Sequence, residues 1–514
     1  MRSRKRLALP VLAFVLAMSF VAVPGGAVGP PQHPADTPDR PHSDNMILMG
    51  ASLAPGAVTG PPPAGPGTVP WDTRNTDLAF WGKTVIQGRY DGFRVIDVRN
   101  QRKPKELARF TCVSPQGDVG VYGDLVFRSV DSQQETDQCQ VDNSRSGAPD
   151  DAAECAPAPF PCTGFEGIQI FDISDLCDIQ HVASVPLDCG SHTHTVVPDE
   201  ENGRVLIYNS VSGTGEQDNP GKYGNQCPGE PFNREDIVEV PLSDPASASV
   251  IGSFALGQLD DGTPMDGCHD MGVILGDVNK AACAGHPRGI AVFDISDLDD
   301  PVFLYAAEAP TVTGWHSAAF TWDGEIIVGG WEPGGGTQPR CLPTGTQLPG
   351  EDPGEVQTDE MKTLFFFDAD NGEIIGRHVL PRPQSIYENC TMHNYNIASY
   401  KKRYILVHGS YQSGTAAVDF TDLDNIYEFA WMDPLPLDPP SDTSPGGRSA
   451  FRGGDWSSYA YNNSIYESDT RRGLYIWRVD APEVRGPKVK LDFLNPQTNH
   501  ISYEMDFRPR DKKN

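Results

Sequence analysis

The sequence predicts an all-β fold, a seven-bladed β-propeller of four-stranded antiparallel blades. Three observations predict it. A short β-branched and aromatic motif recurs seven times along the chain, each time closed by Asp or another turn-forming polar residue. Each copy is flanked by further strand-like runs, so that four short strands repeat at a spacing of roughly 45–75 residues. Finally, 52 Gly and 46 Pro among 514 residues favour many tight turns over long helices.

The clearest copies are Gly92-Phe-Arg-Val-Ile-Asp-Val98, Gly167-Ile-Gln-Ile-Phe-Asp-Ile173 and Gly289-Ile-Ala-Val-Phe-Asp-Ile295. Looser copies begin at Asp236, Leu364, Thr415 and Gly473. Strands follow some of them, as at Lys105–Phe110 and Val302–Tyr305, and others precede them, as at Leu125–Phe127, Val205–Tyr208, Ile326–Val328 and Tyr404–Val407. Another precedes those, as at Val119–Val121 and Ser317–Phe320. A sandwich would not repeat one turn chemistry seven times. The run Phe367-Asp-Ala-Asp-Asn-Gly-Glu-Ile374 reads as a hairpin with an Asn-Gly turn, because it lacks the spacing and distal Glu of a calcium loop.

At these residues the chain resembles the LVIVD-repeat family, whose repeats carry a Gly-Leu-x-Ile-Ile-Asp-Val-Ser-like strand followed by Asn-Pro. Gly92 to Val98 with Pro104, Gly167 to Ser174, and Gly289 to Ser296 with Pro301 match it well. The resemblance spans residues 77–496 and implies a seven-bladed propeller, but no particular chemistry.

Outside the repeats, Arg2, Arg4, Lys5 and Arg6 precede an apolar stretch from Leu7 to Val23 and a small-residue segment, so residues 1–29 read as a signal peptide. Residues 30–76 read as a Pro/Gly/Ala-rich linker with one strand-like patch, Asn45–Gly50. That patch and Lys488–Phe493 compete to close the last blade. Residues 497–514 read as a frayed C-terminal tail. Eleven cysteines without a C-x-x-C pair favour scattered disulfides and one leftover thiol in an oxidising, extracellular setting. Seventy acidic against 40 basic residues, a net charge of -30, exclude a nucleic-acid surface. No membrane association is expected once the signal is cleaved.

Aligning the repeats at the start of their innermost strands gives Asp77, Asp118, His194, His269, His316, His393 and Trp456, with Asp455 beside it. Four histidines of the 12 in the chain thus fall at one structural position. Innermost strands ring a propeller's channel, so these side chains converge on one mouth. Imidazole is the commonest transition-metal ligand, and an all-histidine set with open positions favours iron or copper, with zinc also admissible. Carotenoid-cleaving oxygenases and selenium-binding proteins are similar in that arrangement alone. His192, Asp118, Asp270 and Asp455 are the second-shell or alternative ligands. The opposing reading has the histidines tie one blade to the next, as Asp would.

The functional expectation is an exported, monomeric, metal-binding propeller, with oxidoreductase or oxygenase chemistry if it is an enzyme. The alternative is an extracellular scaffold that binds protein or glycan through the insertions at 131–163, 211–235 and 333–360. In either case the expected partner is a small molecule or an extracellular protein or glycan.

Overall fold

The computed structural model describes residues 40–55, 57, 74–114, 116–134, 137, 139, 165–212, 232–285, 289–333, 338–346, 356–386, 388–435, 453–495 and 497–505. Seven sheets form a ring, each built from four antiparallel strands, consecutive in six blades and completed from the N-terminal side in the seventh, and two of the sheets carry a fifth strand. Short 3₁₀ turns are the only helices among the described residues, and no helix is long and apolar enough to cross a membrane. The segment expected to carry a signal peptide lies outside the described residues, as do most of the long insertions.

The repeated motif is the third strand of each blade, and its chemistry explains its recurrence. Asp97, Asp172, Asp294 and Asp419 each end such a strand and accept a hydrogen bond from the backbone N–H two residues on, which folds the chain into the fourth strand. Gly92 begins the first copy at φ 133°, where an added Cβ would lie 1.9 Å from the carbonyl oxygen of Phe110. No other residue fits there without moving the outer strand. Burial falls from the axis outward. The inner strand Thr193–Asp199 is buried throughout, whereas the outer strand Lys105–Thr111 alternates between exposed and half-buried positions. The apolar core lies between neighbouring blades, as where Leu78 and Phe80 of blade 1 pack on Tyr459 and Ile476 of blade 7.

Both chain ends are used. Met46–Leu53 pairs with Gly473–Val479 as the outer strand of blade 7, which resolves the competition for that place. Arg40, just before it, reaches Glu467 and Asp469 in the same blade. Phe493–Leu494 instead pairs with the inner strand of blade 1 through Phe80 and Trp81. The expectation of a frayed tail does not hold for residues 497–505. Asn495 bonds both the N–H and the C=O of Val121, Thr498 pairs with Val273, Asn499 donates to the carbonyl of Phe320, and the Tyr503 N–H donates to that of Trp322. The tail therefore crosses the far ends of the inner strands from blade 1 to blade 5. The signal for this is Asn495 and Asn499, side chains that can serve as strand partners.

Disulfides join Cys112 to Cys139, Cys268 to Cys283 and Cys341 to Cys390, Cys189 is also disulfide-bonded, and Cys177 is an exposed free thiol.

Candidate metal centre

The seven inner strands begin at one mouth of the ring. The backbone N–H groups of His192, His316 and His393 each donate to the carbonyl of the last residue of the next strand, Ser210, Gly330 and Gly409, at 2.9 Å. These three histidines are therefore equivalent, each just ahead of its inner strand. In blade 4 the same place falls at a β-bulge between Cys268 and Asp270, which turns His269 inward. Blade 7 repeats that bulge between Asp455 and Ser457, and Trp456 occupies it.

The four rings form an arc. Centroids lie 4.1 Å apart for His192 and His269, 4.0 Å for His269 and His316, and 4.3 Å for His316 and His393. His194, expected in this set, is a correction. Strand neighbours point to opposite faces, and its Nδ1 meets the hydroxyl of Ser129 at 2.8 Å while its ring abuts Phe127 in blade 2. Burial lowers its pKa to about 3. His192 takes its place.

Three of the four arc imidazoles are hydrogen-bonded through Nδ1. His393 Nδ1 lies 2.6 Å from the Trp456 carbonyl, and His192 Nδ1 lies 3.2 Å from Asp131 Oδ1. His269 Nδ1 faces Asp270 Oδ1 at 3.4 Å. His316 Nδ1 bonds Ser317 Oγ, which lies 2.8 Å from Asp270 Oδ2. Carbonyls and carboxylates only accept, and the Ser317 hydroxyl can donate to Asp270. A hydrogen on Nδ1 of neutral His192 and His393 satisfies these acceptors and leaves the lone pair on Nε2. Outer-shell acceptors that fix this tautomer accompany most metal-ligating histidines.

Carboxylates complete the wall. Glu332 places Oε2 3.6 Å from His316 Nε2 and Oε1 3.6 Å from His393 Nε2. Ligand atoms of His316, Glu332 and His393 lie within 4.8 Å of one another, as do those of His269, Asp270 and His316. Burial opposes the charge of Asp270, yet His269 and the Ser317 hydroxyl hold its carboxyl below the usual range. Asp118 also lines the cavity, where burial and then Asp77 and Asp270 push its carboxyl well above that range. Asp455 does not belong to this wall. It joins Glu467, Asp469 and Arg40 inside blade 7, and its backbone pairs with Tyr411.

The cavity in front of the arc measures about 100 Å³ and is also lined by Tyr90, Gln116, Tyr411 and Trp456. Tyr411 donates its hydroxyl to Glu332 and lays its ring 4.4 Å from that of His393. It adopts φ 47°, a left-handed backbone rare for a non-glycine residue. Burial and then Glu332 raise its phenol well above the ordinary value. Glu332 and Tyr411 escape sequence reading because both lie in turns beyond the strand ends, where the repeat has no fixed register.

The fold and the mouth thus define a repeat-built propeller with histidine and carboxylate groups that could hold a metal ion. Neither a known family profile nor a curated protein sequence matches the chain.

Proposed function

We propose that this chain is an exported LVIVD-type propeller whose channel mouth binds a transition metal through His192, His269, His316 and His393, with Glu332 as a further ligand and Asp270 as orienter. The observation that carries the reading is the arc itself: neighbouring imidazole centroids lie 4.0–4.3 Å apart, with the Glu332 carboxylate 3.6 Å from Nε2 of both His316 and His393. Imidazole with carboxylate suits iron, copper or zinc. Structural zinc sites close around the ion, whereas these ligands border a cavity of about 100 Å³. That room supports substrate access, and we assign the site to metal-dependent oxidoreductase chemistry on a small molecule. The disulfides support an oxidising compartment.

The test is elemental analysis of untagged protein lacking residues 1–29 by inductively coupled plasma mass spectrometry. Near-stoichiometric iron, copper or zinc is expected, and His316→Ala should lose it while keeping the β-sheet circular dichroism spectrum. Protein that stays metal-free after reconstitution would overturn the reading.

A further inference from the structure

A second group of ligand atoms lies away from the channel, between blades 3 and 4. Glu235 sits in the strand Arg234–Pro241, Cys268 in Cys268–Ile274 and Cys283 in Lys280–Gly285. One carboxylate oxygen and both sulfurs lie within 4.8 Å of one another. The two cysteines are fully buried and Glu235 is 1% exposed. Both cysteines belong to a buried apolar cluster that also includes Tyr208, Ile237, Met265 and Met271.

With the disulfide formed, neither oxygen of Glu235 has a hydrogen-bond partner. A buried carboxyl without a partner is destabilising, and such a group calls for an explanation. Burial holds it well above the usual carboxyl range. Its aim at the sulfurs gives the explanation.

We propose that Glu235, Cys268 and Cys283 form a second metal site, specific for a thiophilic ion such as Zn²⁺, that exists only when the disulfide is reduced. A tetrahedral Zn–S distance of about 2.3 Å sets two sulfurs about 3.8 Å apart. The Cα atoms of Cys268 and Cys283 are 5.4 Å apart, so side-chain rotation alone can open the sulfurs to that separation. The backbone carbonyl of Asp270, 3.5 Å from Cys268 Sγ, is positioned as a fourth donor. A thiol or phosphine reductant supplies two electrons, and two protons from solvent convert the S–S bond to two thiols. Zn²⁺ then displaces both thiol protons and the Glu235 carboxyl proton to solvent. A two-electron oxidant reforms the S–S bond and releases the ion. Cys268 is bonded directly to His269, so the state of this pair is built into the strand that carries an arc histidine.

The site does not depend on the channel reading, and the experiment separates them. The His316→Ala chain, lacking residues 1–29, is produced in a reducing cytoplasm and titrated with Co²⁺ under anaerobic conditions. One equivalent should bind with a thiolate-to-cobalt charge-transfer band in the near ultraviolet. The band should vanish in Cys283→Ser and on oxidation. Glu235→Gln should weaken binding by at least about tenfold, the loss that even an outer-shell partner causes. Absence of the band overturns the proposal, as does a band that survives Cys283→Ser. A reduced chain that cannot fold with zinc present also overturns it, since the ion is assigned the place of the crosslink.

Discussion

The Nδ1 of His393 lies 2.6 Å from the backbone carbonyl oxygen of Trp456, so an imidazole of blade 6 is aimed by the main chain of blade 7. Because the acceptor is main chain, Trp456→Phe should retain the metal measured by mass spectrometry. His393→Ala should lose it. Metal loss in Trp456→Phe would show that the indole, not the carbonyl, holds the ring.

Asp270 faces His269 and His316 at once, at 3.4 and 3.5 Å. Asp270→Asn should weaken metal binding about 10–100-fold, read by competition with a chromophoric chelator. His194→Gln should leave metal affinity unchanged, because its ring is bonded to Ser129 on the other face of the strand.

His378 is pushed down to about 4, first by burial and then by Arg382. Between pH 6.5 and 4 the unfolded chain binds a proton there that the folded chain refuses, so this residue makes stability fall as pH falls. Its share of the slope is at most about 1.4 kcal/mol per pH unit. His378→Leu should flatten the stability profile in that window by up to this amount, measured by urea unfolding at several pH values. An unchanged slope would refute the assignment.

Arg40 meets Glu467 and Asp469 where all three side chains are essentially inaccessible to water. Removing one partner of a buried ion cluster typically costs about 3–5 kcal/mol. Arg40→Met should lower unfolding free energy by that amount in denaturant titrations, whereas a surface arginine such as Arg99 should change it little.

Asn495 satisfies both backbone groups of Val121, at 2.7 and 2.9 Å. Asn495→Ala should destabilise by about 1–3 kcal/mol, the penalty of a buried unsatisfied group. Faster amide hydrogen exchange at Val121 should accompany it.

Much of this was legible beforehand for physical reasons. The motif ending in Asp97, Asp172 and Asp294 is local turn chemistry, and local chemistry repeats when blades repeat. His269, His316 and His393 were legible because each stands alone at its strand start. The choice between His192 and His194 was not. Ser191-His-Thr-His-Thr195 offers a His-Thr pair in both registers. Both threonines bond to blade 4, Thr193 to the carbonyl of His269 and Thr195 to that of Met271. Only the pairing of Thr193 with Ser210 fixes which histidine precedes the strand. Glu332 and the tail contacts depend on loops meeting distant blades, which no local pattern encodes.

The ring's closure has a kinetic consequence. Met46 pairs with Val479, so the first blade-forming strand to leave the ribosome finds its place only against the last blade. Contacts so distant in sequence slow folding, because chain closure must precede their reward. Until residue 479 is available, Met46–Leu53 has no strand to pair with and six finished blades are an open arc. The propeller is thus a clasp fastened by the first blade strand of the described residues, and the nascent chain stays unfastened until the strand ending at Val479 has been made.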